Sequence, residues 1–219
     1  MPSRTEQKRV AYHEAGHVVI AWYYNIGCVG VSIAKEQDSF GAAQILGLFG
    51  KVPMQTHQLE RELDIAMAGA AAEEKIIGEK LRGWGGNDYI NAVKIAAQWS
   101  EQTGKTFDDV YLTDVDIETE QINGCLFSAV FLDEFAANVR HLMSRAHIWG
   151  CVEAVARELL NKTVISSEEV IDIISKTWEE LDGDEQELII KKQQSDRNQR
   201  PWGDWRAEMS CTVMIITNP

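Results

Sequence analysis

Apolar and polar residues fall into blocks of different period along the chain. From Thr5 to about Asn25 the sequence predicts a helix, with apolar positions at Val10, Ala11 and Tyr12 and again at Val18-Val19-Ile20-Ala21-Trp22. Asn25, Ile26 and Gly27 break that pattern. Gly30 to Ala34 then has strand character, Lys35 to Ser39 is polar and turn-like, and Gly41 to Gly47 predicts a returning strand. Gly50 to Pro53 reads as a loop. Thr56 to about Lys80 predicts a long helix whose middle, Ile65 to Ala72, is small and apolar, so another helix can approach it closely. Beyond a glycine-rich turn, Gly83-Trp84-Gly85-Gly86, a helix is predicted from about Asp88 to Gln102, followed by an acidic loop from Gly104 to Asp116. From Glu118 onward the pattern is helical again: Asp133 to His147, Cys151 to Asn161, and a segment to Glu180 opened by the capping signal Ser166-Ser167-Glu168-Glu169. Leu181 to Arg200 reads as a solvated helix or linker, and Thr212 to Thr217 is an apolar run with strand potential. The predicted fold is mainly α, with a small β-hairpin.

Composition narrows the function classes. With 219 residues, 45% hydrophobic and 25% charged, the chain can bury one sizeable core, and one domain with appendages is expected. A net charge of −13 argues against nucleic acid as a partner and disfavours an anionic membrane surface. No stretch approaches the roughly 18 uninterrupted apolar residues of a transmembrane helix, and the first residues carry no signal-peptide core. A cytoplasmic location is therefore expected. Cys28, Cys125, Cys151 and Cys211 are widely spaced, without a CxxC pair, and are expected to be reduced and mostly buried.

The candidate chemistry sits in the first helix, at His13-Glu14-Ala15-Gly16-His17. Histidines four apart share a helix face, so both imidazoles can converge on one metal ion, and Glu14 can reach a water bound to it. Neutral imidazoles suit Zn²⁺, and three protein ligands leave a fourth position for water or a substrate carbonyl. The apolar flanks bury this helix, and buried histidines need partners. The hairpin either offers an exposed strand edge on which an extended peptide can pair, or merely caps the helix. For a third ligand the residues alone leave several options. Asp88 reads first as a capping acid in the opening turn of its helix. Glu73 and Glu74 end the apolar run of theirs, one of them able to turn toward the metal and at least one expected to be solvated. His57 is a further candidate, whereas His141 and His147, six residues apart, are assigned to the surface or an interface.

Together, Val10-Ala-Tyr-His-Glu-Ala-Gly-His17 with Trp22, Ala68-Gly69-Ala70-Ala-Ala72-Glu73-Glu74 with Gly78, and Asn87-Asp88 resemble the peptidase domain of the FtsH-type ATP-dependent zinc proteases. Leu159 to Val164 and Glu168-Glu169-Val170 are similar to that family's closing helices, so the likeness covers roughly residues 5–180. The resemblance implies a helical, zincin-like metallopeptidase domain over residues 1–180, followed by a charged linker and tail over 181–219. It implies Zn²⁺ held by His13, His17 and Asp88, Glu14 as general base, and protein substrates threaded in by an attached ATPase ring. The sequence departs from the family in carrying Ala70 where an arginine is usual, and a tryptophan-glycine turn before Asn87. No Walker loop or membrane anchor accompanies the motif, so the expectation is a stand-alone zinc endopeptidase acting on peptides or unfolded protein, with a homo-oligomer left open. The alternative is a non-catalytic metal-binding module that binds a partner such as a separate ATPase.

Overall fold

The computed structural model describes residues 3–34, 41–47, 54–78, 86–104, 115–116, 121–122, 129–181 and 213–216. Helix α1 runs Arg4–Tyr23, and a capping box starts it: Glu6 N–H donates to the Ser3 hydroxyl while Ser3 N–H donates to the Glu6 carboxylate. Strands β1 (Cys28–Ser32) and β2 (Ala42–Ile45) form the antiparallel hairpin expected from the pattern. Helix α2 (Thr56–Ile77) ends at Gly78, whose φ of +80° gives the left-handed cap that glycine adopts without steric cost. Helix α3 spans Gly86–Thr103 and carries Asp88 in its first turn. A two-residue ladder follows, β3 (Val115–Asp116) at the end of the expected acidic loop with β4 (Gln121–Ile122) where helix is expected to resume. Helices α4 (Ala129–Ser144), α5 (Ala146–Lys162) and α6 (Ser167–Glu180) follow, with β5 (Val164–Ser166) between the last two and β6 (Val213–Ile216) after them. The architecture is mainly α, as the pattern predicted.

The centre of the fold is the α1–α2 contact. A Cβ added at Gly16 would lie 2.5 Å from the Ala68 carbonyl oxygen, so the two backbones meet more closely than any side chain allows. Around this contact Ala15, Val18, Val19, Ile20, Met67, Ala68 and Ala72 are buried in one apolar core. Helix α5 covers α1 from another side, with Tyr12 against Trp149, and α6 adds Trp178 against Trp22. The sheet has the order β5-β1-β2-β6, all neighbours antiparallel, so the hairpin is flanked on both sides by strands from later in the chain.

Several expectations change. The edge of β2 is not open, because β6 pairs with it. His147 is buried, not superficial: the chain breaks at Arg145, α5 starts afresh, and the imidazole turns inward against Trp178 and donates from Nε2 to the Leu181 carbonyl. His141 is exposed. Cys28 and Cys151 are buried free thiols, which burial pushes up to about 11 and about 12, so both are protonated at neutral pH. Cys125 and Cys211 lie outside the described residues, as do the turns at 35–39, 50–53 and 83–85, most of the acidic loop and all of 182–200 in the polar segment.

Candidate metal centre

Helix α1 places His13 and His17 one turn apart with ring centroids 4.9 Å from each other, and α3 brings the carboxylate of Asp88 to both. Asp88 Oδ2 lies 2.9 Å from His13 Nε2 and 3.2 Å from His17 Nε2. His17 is fully buried, and its Nδ1–H donates to the Ile65 carbonyl at 2.7 Å. That bond fixes the tautomer and leaves the Nε2 lone pair pointing at a carboxylate oxygen. Two lone pairs meeting at that distance are relieved by a shared cation, whether a proton or a metal ion. The other oxygen of Asp88, Oδ1, is buried and has no hydrogen-bond partner among the described residues. Two imidazole nitrogens and one carboxylate are a donor set that fits a divalent metal of borderline softness.

The electrostatics agree. Burial alone would push His13 down, but the carboxylates of Asp88 and Glu73 outweigh it and carry its pKa up to about 10. Burial alone would likewise raise Asp88, but the imidazoles of His17 and His13 draw it down to about 2. The pocket therefore holds a net field that favours positive charge, and a divalent ion satisfies the same field as a proton.

Two supporting features stand around this cluster. Glu73 Oε2 lies 3.4 Å from His13 Nδ1, behind the ring, and Arg9 pairs with the other oxygen of Glu73. Although burial would raise Glu73, the hydrogen bonds from His13 and Arg9 hold it below the usual carboxylate range. Glu73 thus orients His13 from the side away from Asp88. Glu74 is buried too, paired with Arg140 on α4, so neither glutamate forms the solvated face expected for at least one of them. The second feature is Gly69: a Cβ there would sit 2.4 Å from His17 Nε2 and 2.5 Å from His13 Nε2. The two rings lie directly on the α2 backbone.

Glu14 is fully buried beside His13. The start of β2 touches it, since a Cβ on Gly41 would lie 2.7 Å from Glu14 Oε1, and Gly41 has φ +143°, a backbone region that favours glycine. The hairpin therefore borders Glu14 and does more than cap α1. His57 is exposed and elsewhere, lining a cavity of about 440 Å³ with Tyr24, Asp64, Phe135 and Asn138. From sequence Gly69 enters only as part of the family-like run Ala68–Glu74, without a role of its own, and Glu73 is not paired with Arg9. A signal for the pair existed, because Arg9 stands four residues before His13 on the same face of α1, where one acid can reach both.

The pattern describing peptidase family M41 matches residues 1–173. The chain belongs to peptidase family M41. Among curated M41-type relatives, it is 26% identical to the ATP-dependent zinc metalloprotease FtsH 1 of Rhodopirellula baltica over 201 residues, covering 83% of this chain and 30% of that protein. It is 29% identical to FtsH 2 of a Thermoanaerobacter species over 82% of this chain and 34% of the relative. It is 28% identical to the mitochondrial inner membrane m-AAA protease component yta12 of Schizosaccharomyces pombe, over 78% of this chain and 24% of the relative. The chain thus spans about a third or less of the length of these relatives, and the FtsH-type likeness read from the motifs is what both comparisons return. No helix among the described residues is long and apolar enough to cross a membrane.

Proposed function

We propose that this M41 chain is a zinc-dependent endopeptidase that hydrolyses peptide bonds in peptides or unfolded protein segments. The observation that carries the proposal is the convergence of His13 Nε2, His17 Nε2 and Asp88 Oδ2 beside a fully buried Glu14. His13, His17 and Asp88 would hold Zn²⁺, which when bound would supply Lewis acidity toward a scissile carbonyl and acidify water. Glu14 accepts the proton of the attacking water at its carboxylate and delivers it to the departing amide nitrogen. Ile65 and Glu73 hold the two imidazoles by their outward nitrogens, which keeps the inward nitrogens aimed at the ion. Residues 1–180 carry the peptidase domain and 181–219 a charged linker and tail, of which 213–216 returns to the domain's sheet as β6. In the cytoplasm, a separate ATPase is the kind of partner that would deliver folded substrates, by analogy with relatives named ATP-dependent.

Chelation tests the proposal directly. Dialysis against a strong chelator is expected to abolish cleavage of an unfolded protein, and one equivalent of Zn²⁺ per chain to restore it. Cleavage that survives metal removal would refute a metal-dependent reaction.

Zinc uptake is also expected to depend on pH. In the metal-free site His13, at about 10, carries a proton at neutral pH that the ion must displace, whereas Asp88, at about 2, is already ionised. Lowering the pH from 8 to 6 therefore weakens apparent affinity about tenfold per unit through His13 alone. Competition titrations against a chromophoric chelator read this slope. A flat profile would mean that His13 carries no proton for the ion to displace in the metal-free site.

A further inference from the structure

Strand β6 takes no part in the metal centre, yet its position relative to that centre is specific. It pairs antiparallel with β2, Ile216 opposite Ala42 and Val213 opposite Ile45. Ala42 directly follows Gly41, the residue in contact with Glu14. β6 also lies against α3, the helix that carries Asp88. It therefore fills the strip between the strand that borders Glu14 and the helix that supplies Asp88. The opposite side of β2 belongs to β1, and β1 is closed in turn by β5, so the described sheet offers an extended chain no other place along β2.

An extended peptide reaching a metal centre along a sheet edge makes main-chain hydrogen bonds with that edge, and any extended segment of adequate strand propensity can make the same ones. The segment Val213-Met214-Ile215-Ile216 is β-branched or apolar throughout. We infer that β6 is an internal pseudosubstrate: the chain's own extended segment occupies the edge on which a substrate would pair, and the centre accepts extended polypeptide only when β6 leaves. The inference rests on the peptidase reading above for its meaning, but the occlusion can be measured without catalysis. A four-residue edge pairing is short, hence displaceable. Because β6 belongs to the same chain, an incoming peptide binds with its intrinsic affinity reduced by the fraction of open molecules.

The test uses the full chain, zinc-loaded, in a Glu14→Gln background so that bound peptide is not cut. A dye-labelled peptide with the sequence of residues 212–217, Thr-Val-Met-Ile-Ile-Thr, is titrated against this protein with and without the pair Met214→Pro and Ile215→Pro. Neighbouring residues of a strand direct their N–H groups to opposite sides, so the proline pair removes a ladder bond to β2 whichever residue donates it. The proline variant is expected to bind the peptide at least about tenfold more tightly, the gain that follows if one molecule in ten or fewer is open. Equal or weaker binding overturns the inference. If the proline pair impairs folding, judged by zinc stoichiometry and circular dichroism, Met214→Gly with Ile215→Gly keeps every N–H while lowering strand propensity. It should then give a smaller gain in the same direction, and no gain again overturns the inference. With Glu14 restored, tighter binding without cleavage by any form would refute the peptidase reading and leave the occlusion standing. Equal binding with equal cleavage would do the reverse.

Discussion

Gly69→Ala is expected to cost the protein its metal while leaving most of its fold. In a helix interior alanine is favoured over glycine by about 1 kcal/mol, so propensity alone would make the variant more stable. The added methyl, however, would stand 2.4 Å from His17 Nε2 and 2.5 Å from His13 Nε2, the two atoms aimed at the ion. The His17 ring has no room to retreat. His17 is fully buried and tied to the Ile65 carbonyl, and the close approach of Gly16 to Ala68 already fixes the separation of α1 and α2. Overpacking of this kind costs about 1–3 kcal/mol, so net stability should fall by no more than about 2 kcal/mol. The displacement falls on the ligands themselves, and loss of zinc affinity should reach about 100-fold or more, the upper range seen when ligand orientation is disturbed. Zinc titration and thermal unfolding of the metal-free variant separate the two effects. Wild-type affinity in Gly69→Ala would mean that the rings do not hold the ion in this arrangement.

This prediction marks where the sequence stops being informative. The HExxH spacing on α1 was legible because it depends only on helix geometry, four residues bringing two side chains to one face. The hairpin and the capping of α6 were legible for the same reason, since each is a local pattern within a few residues. The run from Ile65 to Ala72 announced a close helix contact, but not that Gly69 in particular would lie under the imidazoles. That depends on the rotation of α2 about its axis, which the whole core decides. Glu73 is a similar case: its partner Arg9 is 64 residues away, and no local pattern joins them. Glu73 and Glu74 end an apolar run and look like the start of a solvated face, yet each is matched by an arginine from another helix, and paired charges can be buried. His147 was misplaced because the break at Arg145 contains neither glycine nor proline, so the apolar periodicity runs on through it. The pairing of β6 with β2 is long-range, and the strand potential of its apolar run indicated only that it could pair, not with which edge.

Glu14→Gln is the second substitution with a large expected effect. Glutamine keeps the shape and most of the packing of a residue that is fully buried between α1 and the start of β2. It cannot accept a proton from water or return one to an amide nitrogen. Positioned general acid–base groups contribute about 10²–10⁴-fold, so the rate of peptide hydrolysis should fall by that factor. Zinc content should not change, because Glu14 lies outside the donor set of His13, His17 and Asp88. The combination is diagnostic, since a residue acting only through the fold or only as a ligand would lose metal or stability together with activity.

The most direct measurement is therefore cleavage of an unfolded protein by zinc-loaded wild type and zinc-loaded Glu14→Gln, with metal content determined on both samples. Cleavage by the wild type, reduced by at least about 10²-fold in the variant at equal zinc, is the expected result. Equal cleavage by the two proteins, or none by either with zinc present in both, would contradict Glu14-dependent peptide hydrolysis as the function of this site.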